Sequence, residues 1–279
     1  MTDSRDNDQQ LNDTDFNFVC SYIYEKSGIV LSDSKREMVY RRFTRIIRER
    51  NLKSFSDYCK LLKLNPEEEQ TYFINAITTN LTSFFREQHH FDYLAEHEIP
   101  RLLKQGSKRL RIWSSASSTG EEPYSIAITL METMKNLLAT WDVKLLATDI
   151  DSNVLATGKE GVYDAKRIED IPEKFKNKYF SQGIGQSSTN VRVSSDLQKL
   201  ITFKELNLMN EWPMKGPFDV IFCRNVIIYF DKETQMQLFE RYHQLLAPNG
   251  LLILGHSENL GAFNKHFENV GRTIFRKLD

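Results

Sequence analysis

The chain has 279 residues, and its 37 Lys and Arg residues nearly balance 38 Asp and Glu residues, giving a formal net charge of −1. This length allows one large domain or two smaller ones, and the balanced charge provides no overall attraction to nucleic acid or anionic lipid. Three widely spaced cysteines without a C-x-x-C pattern argue against zinc and redox sites, and we expect them to be reduced and structural, as in a cytoplasmic protein.

The N-terminal part of the chain is helical in its patterning. Residues 1–13 are polar and acidic, which predicts a disordered tail and no signal peptide. Helices are predicted near 14–27, 33–50, 55–63 and 67–79, separated by short polar breaks. No apolar run approaches the ~20 residues of a membrane span, so we expect no direct membrane insertion. Residues 14–88 are therefore predicted to form a small all-α domain with a linker.

After about residue 90, short apolar runs alternate with amphipathic helices, a pattern typical of a mostly parallel sheet. The predicted strands are RLRIWSS, VKLLATD, FDVIFCRN, LLILGHSE and GRTIFRKL, with helices at 122–138, 152–159 and 231–246. The alternation lapses between Gly161 and about Lys199, where GIGQSSTNVRV resembles a small hairpin starting at Gly183 and ending at Val193. We predict an α/β, Rossmann-like domain over 89–279, with a small antiparallel β-subdomain inserted at about 162–199.

The stretch WSSASSTGEEPYSIA, residues 113–127, has the strand, small-residue loop and helix layout of a nucleotide-binding turn. Small side chains let a ligand approach the backbone, but Glu121 and Glu122 at the helix N-terminus would repel the pyrophosphate of NAD or ATP. A nucleoside with positive charge, such as S-adenosylmethionine with its sulfonium and ammonium groups, fits better. The alternative is that both glutamates only favour the helix dipole.

Two further strand ends place polar residues at the same edge of the predicted sheet. Asp149 ends the second strand, where Rossmann-like domains hydrogen-bond ribose hydroxyls, although a strand-end Asp is also a common N-cap of the following helix. Arg224 and Asn225 interrupt an apolar stretch, so they either terminate a strand or line a pocket. Tyr229 follows them, either as core or as part of that pocket.

Six motifs occur along the chain, namely TTNLTSFFRE (78–87), WSSASSTGEEPYSIA (113–127), ATDID (147–151), the pair Asn207-Leu208, FCRNVIIYF (222–230) and GHSEN (255–259). In this order and spacing they resemble the motifs of the CheR family of chemoreceptor glutamate O-methyltransferases, and the resemblance covers the chain from about Phe16 onward. The resemblance implies a small helical domain joined to a class I methyltransferase domain that binds S-adenosyl-L-methionine and releases S-adenosyl-L-homocysteine.

The resemblance also implies a set of site residues without a metal. Cofactor contacts are expected at Asn80, Thr82, Arg86, Glu122, Asp149, Asn207, Leu208, Arg224 and Asn225. Among these, Glu122 is expected to meet the cationic methionine end of the cofactor. Arg86 is also expected to guide the substrate carboxylate, and Tyr229 to hydrogen-bond near the methyl group.

The family reaction transfers a methyl group to the side-chain carboxylate of receptor glutamates, giving a γ-methyl ester that serves sensory adaptation. A glutamate with a reference pKa of about 4.3 is ionised at pH 7, so the nucleophile needs no general base. This requirement agrees with a sequence whose histidines form no obvious catalytic constellation. Catalysis would then consist of desolvating and aiming the carboxylate.

The densest positive stretch lies between Lys35 and Lys53, where helical periodicity places Arg41, Arg45 and Arg48 opposite an apolar face. Such a row is either a solvated face or a docking surface for a glutamate-bearing receptor helix bundle, and the resemblance favours docking. The net charge and the lack of an aromatic stacking platform argue against nucleic acid. The β-subdomain is a second candidate contact, because in some family members it captures a peptide at the receptor's C-terminal tail.

We therefore expect a monomeric, cytoplasmic, bacterial chemotaxis enzyme that is recruited to chemoreceptor arrays. Its expected partner is the cytoplasmic helical domain of membrane chemoreceptors. Two alternatives stay open: an enzyme with the same cofactor and another protein or small-molecule acceptor, and a signalling adaptor that binds the cofactor without turnover.

Overall fold

A computed structural model describes residues 11–183 and 188–278 of the chain. Its N-terminal part contains helices α1 (Asp13–Ser27), α2 (Arg36–Glu49), α3 (Phe55–Leu64) and α4 (Pro66–Ile77). The side chains of Asn12 and Ser54 accept backbone N–H groups at the starts of α1 and α3, and Pro66 opens α4, where its missing N–H costs nothing. Phe16, Phe43 and other buried aromatic and aliphatic side chains form a core of their own.

The four helices agree in type and position with the four predicted ones. Residues 1–10 of the predicted acidic tail lie outside the described residues. The helical domain nevertheless begins inside that predicted tail, because Leu11 is buried in the helical core and Asn12 caps α1. The polar composition of the tail conceals both features. The burial of Leu11 depends on tertiary packing, whereas the cap is a local contact in which Asn12 Oδ1 accepts the Asp15 N–H.

The remainder of the described chain alternates strands and helices. The strands are β1 (Arg109–Ser114), β2 (Asp142–Asp149), β3 (Val162–Asp164), β4 (Phe180–Gln182), β5 (Asn190–Val193), β6 (Ile201–Glu205), β7 (Phe218–Cys223), β8 (Leu246–Leu254), β9 (Phe267–Gly271) and β10 (Ile274–Lys277). The helices are α5 (His89–Tyr93), α6 (Ile99–Gln105), α7 (Glu121–Met134), α8 (Ser152–Glu160), α9 (Glu173–Tyr179), α10 (Ser195–Leu200) and α11 (Lys232–Leu245).

Seven strands form one sheet in the order β6-β2-β1-β7-β8-β10-β9. The first five of these are parallel to one another, and β10 is antiparallel to both β8 and β9. This mostly parallel sheet confirms the predicted α/β fold class. The strand order reverses at β1, which has β2 on one side and β7 on the other, and in such sheets ligands bind outside the carboxyl ends of the strands at this point.

The β-subdomain is a three-stranded antiparallel sheet in the order β3-β5-β4. All three strands fall inside the predicted insertion at about 162–199. The predicted hairpin corresponds to the antiparallel pair β4 and β5, but residues 184–187, which connect them, lie outside the described residues. Strand β3 was not recognised in the sequence because three residues are too short to show a period of two.

Two apolar clusters cover the two faces of the large sheet. Ile112 belongs to one cluster and its neighbour Trp113 to the other, as expected when side chains alternate across a strand. Burial on both faces holds β1 rigidly and fixes the position of the loop that follows it. In the described part of the chain, no helix has both the length and the apolar character that a membrane span requires.

The helical domain packs against the carboxyl edge of the large sheet. The Tyr24 hydroxyl donates to Asp231 Oδ2 at 2.7 Å, and the Val30 N–H donates to the Tyr229 carbonyl oxygen at 2.8 Å. Ile29 and Phe230 form an antiparallel bridge beside this second contact. The two domains therefore enclose the strand ends between them.

Candidate functional site

One cavity of about 210 Å³ lies where the helical domain meets the carboxyl ends of the strands. The ten predicted cofactor and catalytic residues all line it, namely Asn80, Thr82, Arg86, Glu122, Asp149, Asn207, Leu208, Arg224, Asn225 and Tyr229. They come from the linker after α4, the start of α7, the ends of β2, β6 and β7, and the turn before α11. The fold thus brings together residues that are up to 149 positions apart, from residue 80 to residue 229.

The small-residue loop supplies Ser115, Ala116 and Ser118 to the cavity wall. Its single glycine, Gly120, has a φ of 99°, and a Cβ there would lie 2.9 Å from the Cα of Gly158. Gly120 is therefore required for a left-handed backbone and for the close approach of α7 to α8. Space for a ligand comes instead from the small side chains of the loop.

The two adjacent glutamates at the start of α7 have different environments. Glu122 lines the cavity, where its carboxylate accepts hydrogen bonds from Ser114 Oγ and Arg224 Nη1, both at 2.7 Å. Glu121 is fully buried and is paired with Arg167 Nη1 at 2.6 Å. The charge of Glu122 is therefore balanced within the protein, and it does not enter the cavity as an isolated anion.

Arg224 joins Glu122 to a second carboxylate, that of Glu87. Arg224 Nη2 lies 3.3 Å from Glu87 Oε2, and the Arg224 side chain is only 2% exposed. Burial alone would raise the pKa of Glu87, but the charge of Arg224 and hydrogen bonds from His256 and Asn225 outweigh it and hold the pKa at about 2. Glu87 is thus ionised at neutral pH and anchors the segment that follows the linker.

Glu87 was not among the predicted site residues. The sequence offered one signal for Glu87, which is its position directly after Arg86 in the motif TTNLTSFFRE. Potential ligand atoms of Glu87, His89 and His90 lie within 4.8 Å of one another, as they would around a metal ion. The Arg224 guanidinium on the same carboxylate disfavours a further cation there, and we interpret the group as part of the ion-pair network.

Asp149 and Asp151 have separate roles at the end of β2. The Asp149 carboxylate accepts the backbone N–H groups of Ser118 at 2.8 Å and Asp151 at 3.0 Å, while burial raises its pKa to about 6. Asp151, and not Asp149, is the N-cap of α8. Asp151 also accepts from Thr78 Oγ1 at 2.7 Å and from Asn80 Nδ2 at 2.8 Å. Asp151 therefore connects the linker to the carboxyl edge of the large sheet, a role that we did not predict.

The linker after α4 is held from the helical side by Arg42. This half-buried guanidinium donates to the carbonyl oxygens of Ala76 at 3.2 Å and Thr78 at 2.7 Å, and to Thr79 Oγ1 at 3.0 Å. Arg42 was not predicted as a site residue, because its charge is concealed within a generally basic helix. Further along, Arg86 Nη1 donates to the carbonyl oxygen of Leu81 at 2.8 Å.

Glu258 fixes the turn that carries Asn225 and Tyr229. Its buried carboxylate accepts four backbone N–H groups, those of Asn225, Val226, Ile227 and Gly255, at 2.7 to 2.9 Å. Asn225 itself has a φ of 57°, a left-handed conformation that asparagine tolerates better than most residues. The motif GHSEN marked this region, but one sequence did not reveal that its glutamate positions the turn.

Asn207 and Leu208 close the cavity on the side of β6. The Asn207 amide nitrogen donates to the carbonyl oxygen of Lys26 at 2.5 Å, and its amide oxygen accepts from the Met209 N–H at 2.9 Å. Leu208 is buried. The Asn207 side chain therefore joins the two domains in this structure.

The predicted docking row lies outside the cavity on the exposed face of α2. Arg41 and Arg45 form ion pairs one turn away on the same helix, with Glu37 at 3.6 Å and Glu49 at 2.8 Å. Arg48 is also exposed. The structure separates these three arginines from the residues that line the cavity.

The hydrogen-bonding and charged groups that line the cavity suit S-adenosylmethionine. The buried Asp149 carboxylate can accept hydroxyl groups of a ribose, the loop admits close approach, and Arg86 can pair with a carboxylate of the cofactor or the substrate. Glu122 adds negative charge for a sulfonium or ammonium group, although Arg224 balances part of it.

Two family models match the chain. The model described as "CheR methyltransferase, all-alpha domain" matches residues 14–78, and the one described as "CheR methyltransferase, SAM binding domain" matches residues 80–276. The boundary between them falls in the linker that lines the cavity.

Similar proteins match over nearly the whole chain. "Chemotaxis protein methyltransferase 2" of Pseudomonas aeruginosa is 46% identical over 94% of this chain and 92% of its own length. "Probable chemotaxis protein methyltransferase" of Rhizobium etli is 44% identical over 91% of this chain and 96% of its own. "Chemotaxis protein methyltransferase" of Escherichia coli K12 is 43% identical over 95% and 91%.

Proposed function

We propose the function of this chain from its family: the chain belongs to the CheR methyltransferase family. It is an S-adenosylmethionine-dependent methyltransferase of chemoreceptors, and we propose that the acceptors are glutamate side chains, which become γ-methyl esters. The observation that carries this proposal is that ten residues from the linker, the start of α7, the strand ends and the turn before α11 line one cavity together.

The proposed cofactor contacts follow from the cavity wall. S-adenosylmethionine, when bound, supplies an electrophilic methyl group on a positively charged sulfur. Asp149 would accept hydrogen bonds from ribose hydroxyls, because it is buried at the position where related sheets bind ribose. Asn80, Thr82, Asn207, Leu208 and Asn225 would shape the wall, and Glu122 with Arg224 would bind the charged methionine end.

The proposed substrate contacts are Arg86 and Tyr229, which line the same cavity. The planar guanidinium of Arg86 can hold both oxygens of a glutamate carboxylate, and the half-buried Tyr229 can donate a hydrogen bond beside it. The acceptor glutamate is ionised at pH 7, so these residues only need to desolvate and orient it. We therefore assign no general base to this site.

We propose the exposed row Arg41, Arg45 and Arg48 as the surface that attracts the cytoplasmic helical domain of a chemoreceptor. The opposite charges of a glutamate-rich bundle and this row would favour association. The β-subdomain, with strand edges in its three-stranded sheet, is a second proposed contact for a receptor tail peptide. Such contacts would recruit the enzyme, as a cytoplasmic monomer, to receptor arrays.

The proposal is tested by incubating the protein with chemoreceptor-containing membranes and S-adenosylmethionine labelled in the methyl group. We expect label on the receptor that alkali releases as methanol, because a carboxyl methyl ester is base-labile. Label that survives alkali would indicate an amide or another acceptor, and cofactor binding without any transfer would support the adaptor alternative. Arg86→Ala is the matched variant, and we expect it to lose transfer.

A further inference from the structure

Two exposed apolar side chains line the cavity, and a third directly precedes a residue of its wall. Within the described residues, Leu81 is the most exposed of the large hydrophobic side chains, at 80%, and it lines the cavity. Val30, which is 49% exposed, lines it as well. Ile228 is 51% exposed and directly precedes Tyr229, a further residue of the wall. We name Val30, Leu81 and Ile228 the apolar collar.

Hydrogen bonds hold the backbone of the collar in place. The Leu81 carbonyl oxygen accepts from Arg86 at 2.8 Å, and the preceding residue, Asn80, is bonded to Asp151 and Ser118. On the other side of the mouth, the Val30 N–H donates to the carbonyl oxygen of Tyr229 at 2.8 Å. The exposed side chains are therefore presented from fixed segments, and apolar surface exposed beside a cavity is a candidate binding surface.

The charge at the mouth limits what that partner can be. Lys35 and Arg86 line the same cavity as Leu81 and Val30, so the collar combines apolar side chains with positive charge. A partner that suits both carries a carboxylate next to apolar side chains. This combination matches the substrate class of the proposed function, on which the inference rests, and continues into the site where the carboxylate reacts.

The short reach of a glutamate side chain brings the substrate close to the collar. For its carboxylate to enter the cavity beside Arg86, the substrate backbone must lie close to the mouth. If the substrate is a helix, residues three and four positions away from the glutamate lie on the same face and meet the enzyme surface. We propose that the apolar collar binds the apolar residues one helical turn from the acceptor glutamate, and that Leu81 thereby helps to select which glutamates are methylated.

Leu81→Ser tests the collar, with Leu64→Ser as the matched control. Leu64 is 78% exposed, lies at the end of α3 and is absent from the cavity wall, so it matches Leu81 in exposure but not in place. For Leu81→Ser we expect a 5- to 10-fold higher KM for receptor, an unchanged kcat and unchanged cofactor affinity by calorimetry. Leu64→Ser and Leu81→Met should retain wild-type values.

The outcomes separate this inference from the proposed function. If wild type methylates the receptor and Leu81→Ser does so with the same KM, the proposed role of the collar is overturned and the proposed function stands. Equal losses in Leu81→Ser and Leu64→Ser would also overturn it, as would a loss of cofactor affinity in Leu81→Ser alone. No transfer by wild type to any receptor would overturn both proposals together.

The acceptor side offers a second test. Replacing an apolar receptor residue four positions from a methylated glutamate by Lys should slow methylation of that glutamate, because the collar and Arg86 would meet an added positive charge. The same replacement two positions away, on the other face of the helix, is the control. Equal rates at both positions would contradict binding of the substrate helix by the collar.

Discussion

The cavity wall and the exposed face of α2 both depend on arginines, but they use them in opposite ways. Arg224 is 2% exposed and is held between two carboxylates, whereas the side chain of Arg45 is 83% exposed and has one partner a turn away. A buried charge that loses its partner is costly, while an exposed pair is screened by water and salt. Arg224 therefore maintains the site, whereas Arg41, Arg45 and Arg48 on the exposed face of α2 are available to an approaching partner.

Breaking the buried network should produce the largest effect. Arg224→Met leaves Glu87 and Glu122 without their shared counter-charge, and we expect the free energy of unfolding to fall by roughly 3–5 kcal/mol. Urea denaturation without cofactor measures this change. Arg45→Met is the matched control on α2 and should leave the denaturation midpoint where it is. Equal midpoints for both variants would contradict the distinction between the two regions.

Asp149→Asn should have the next largest effect, measured on cofactor affinity. The change keeps the size of the side chain but removes the charge that accepts ribose hydroxyls. Hydrogen bonds to charged groups contribute about 1.5–3 kcal/mol, so we expect affinity to fall roughly 10- to 100-fold in calorimetry. Asp170→Asn, at an exposed position, should bind like wild type. Unchanged affinity in Asp149→Asn would remove this carboxylate from the site.

The pH dependence of cofactor binding gives a second test of the role of Asp149. Burial raises the pKa of Asp149 from 3.8 to about 6, so the carboxyl becomes protonated in the folded protein as the pH falls through 6. Since the ionised form accepts the ribose hydroxyls, we expect affinity to decrease below pH 6 and to level off above it. Asp149→Asn should lack this step. A step of equal size in the variant would assign the titration to another group.

The titration of Asp149 affects the stability of the protein in the opposite direction from its effect on cofactor affinity. Between pH 3.8 and about 6 the folded protein binds more protons at Asp149 than the unfolded chain does. The contribution of Asp149 to the free energy of unfolding therefore decreases as the pH rises through this range. Cofactor affinity and this term of protein stability should thus change in opposite directions around pH 6.

The smallest effect on the enzyme alone is expected on α2. Arg41→Glu combined with Arg45→Glu should leave cofactor affinity unchanged and lower the denaturation midpoint only slightly, because each reversal turns an ion pair on α2 into a like-charge pair. The rate of receptor methylation should fall several-fold. The reason is that rim charges mainly control association, and the loss should be greatest at low salt. Equal methylation rates for the variant and wild type would show that this row is only a solvated face.

The fold was largely predictable because its signals are local. The helices of the N-terminal domain and strands β1, β2, β7 and β10 follow from periodicity and from residues suited to helix starts. Strand β6 was missed because ITFKE alternates poorly, with only Ile201 buried. Its place in the sheet depends on pairing with β2, a contact between distant residues.

The site was predictable only in part. The resemblance named residues that line one cavity, but Glu87, Asp151, Arg42 and Glu258 were missed as supports of that cavity. Each acts through backbone or side-chain contacts with segments distant in sequence, such as the 2.8 Å bond between Asn80 and Asp151. A single sequence shows the charge of such residues but not their partners, and the partners determine their role.

The most direct measurement is a crystal structure of the protein with S-adenosylhomocysteine bound. We expect the nucleoside to lie in the cavity between the helical domain and the strand ends, with its ribose on Asp149 and its sulfur facing the space beside Arg86 and Tyr229. A nucleoside bound elsewhere, or one whose sulfur is sealed off from Arg86 and Tyr229, would contradict the proposal that this cavity joins the cofactor to an acceptor glutamate.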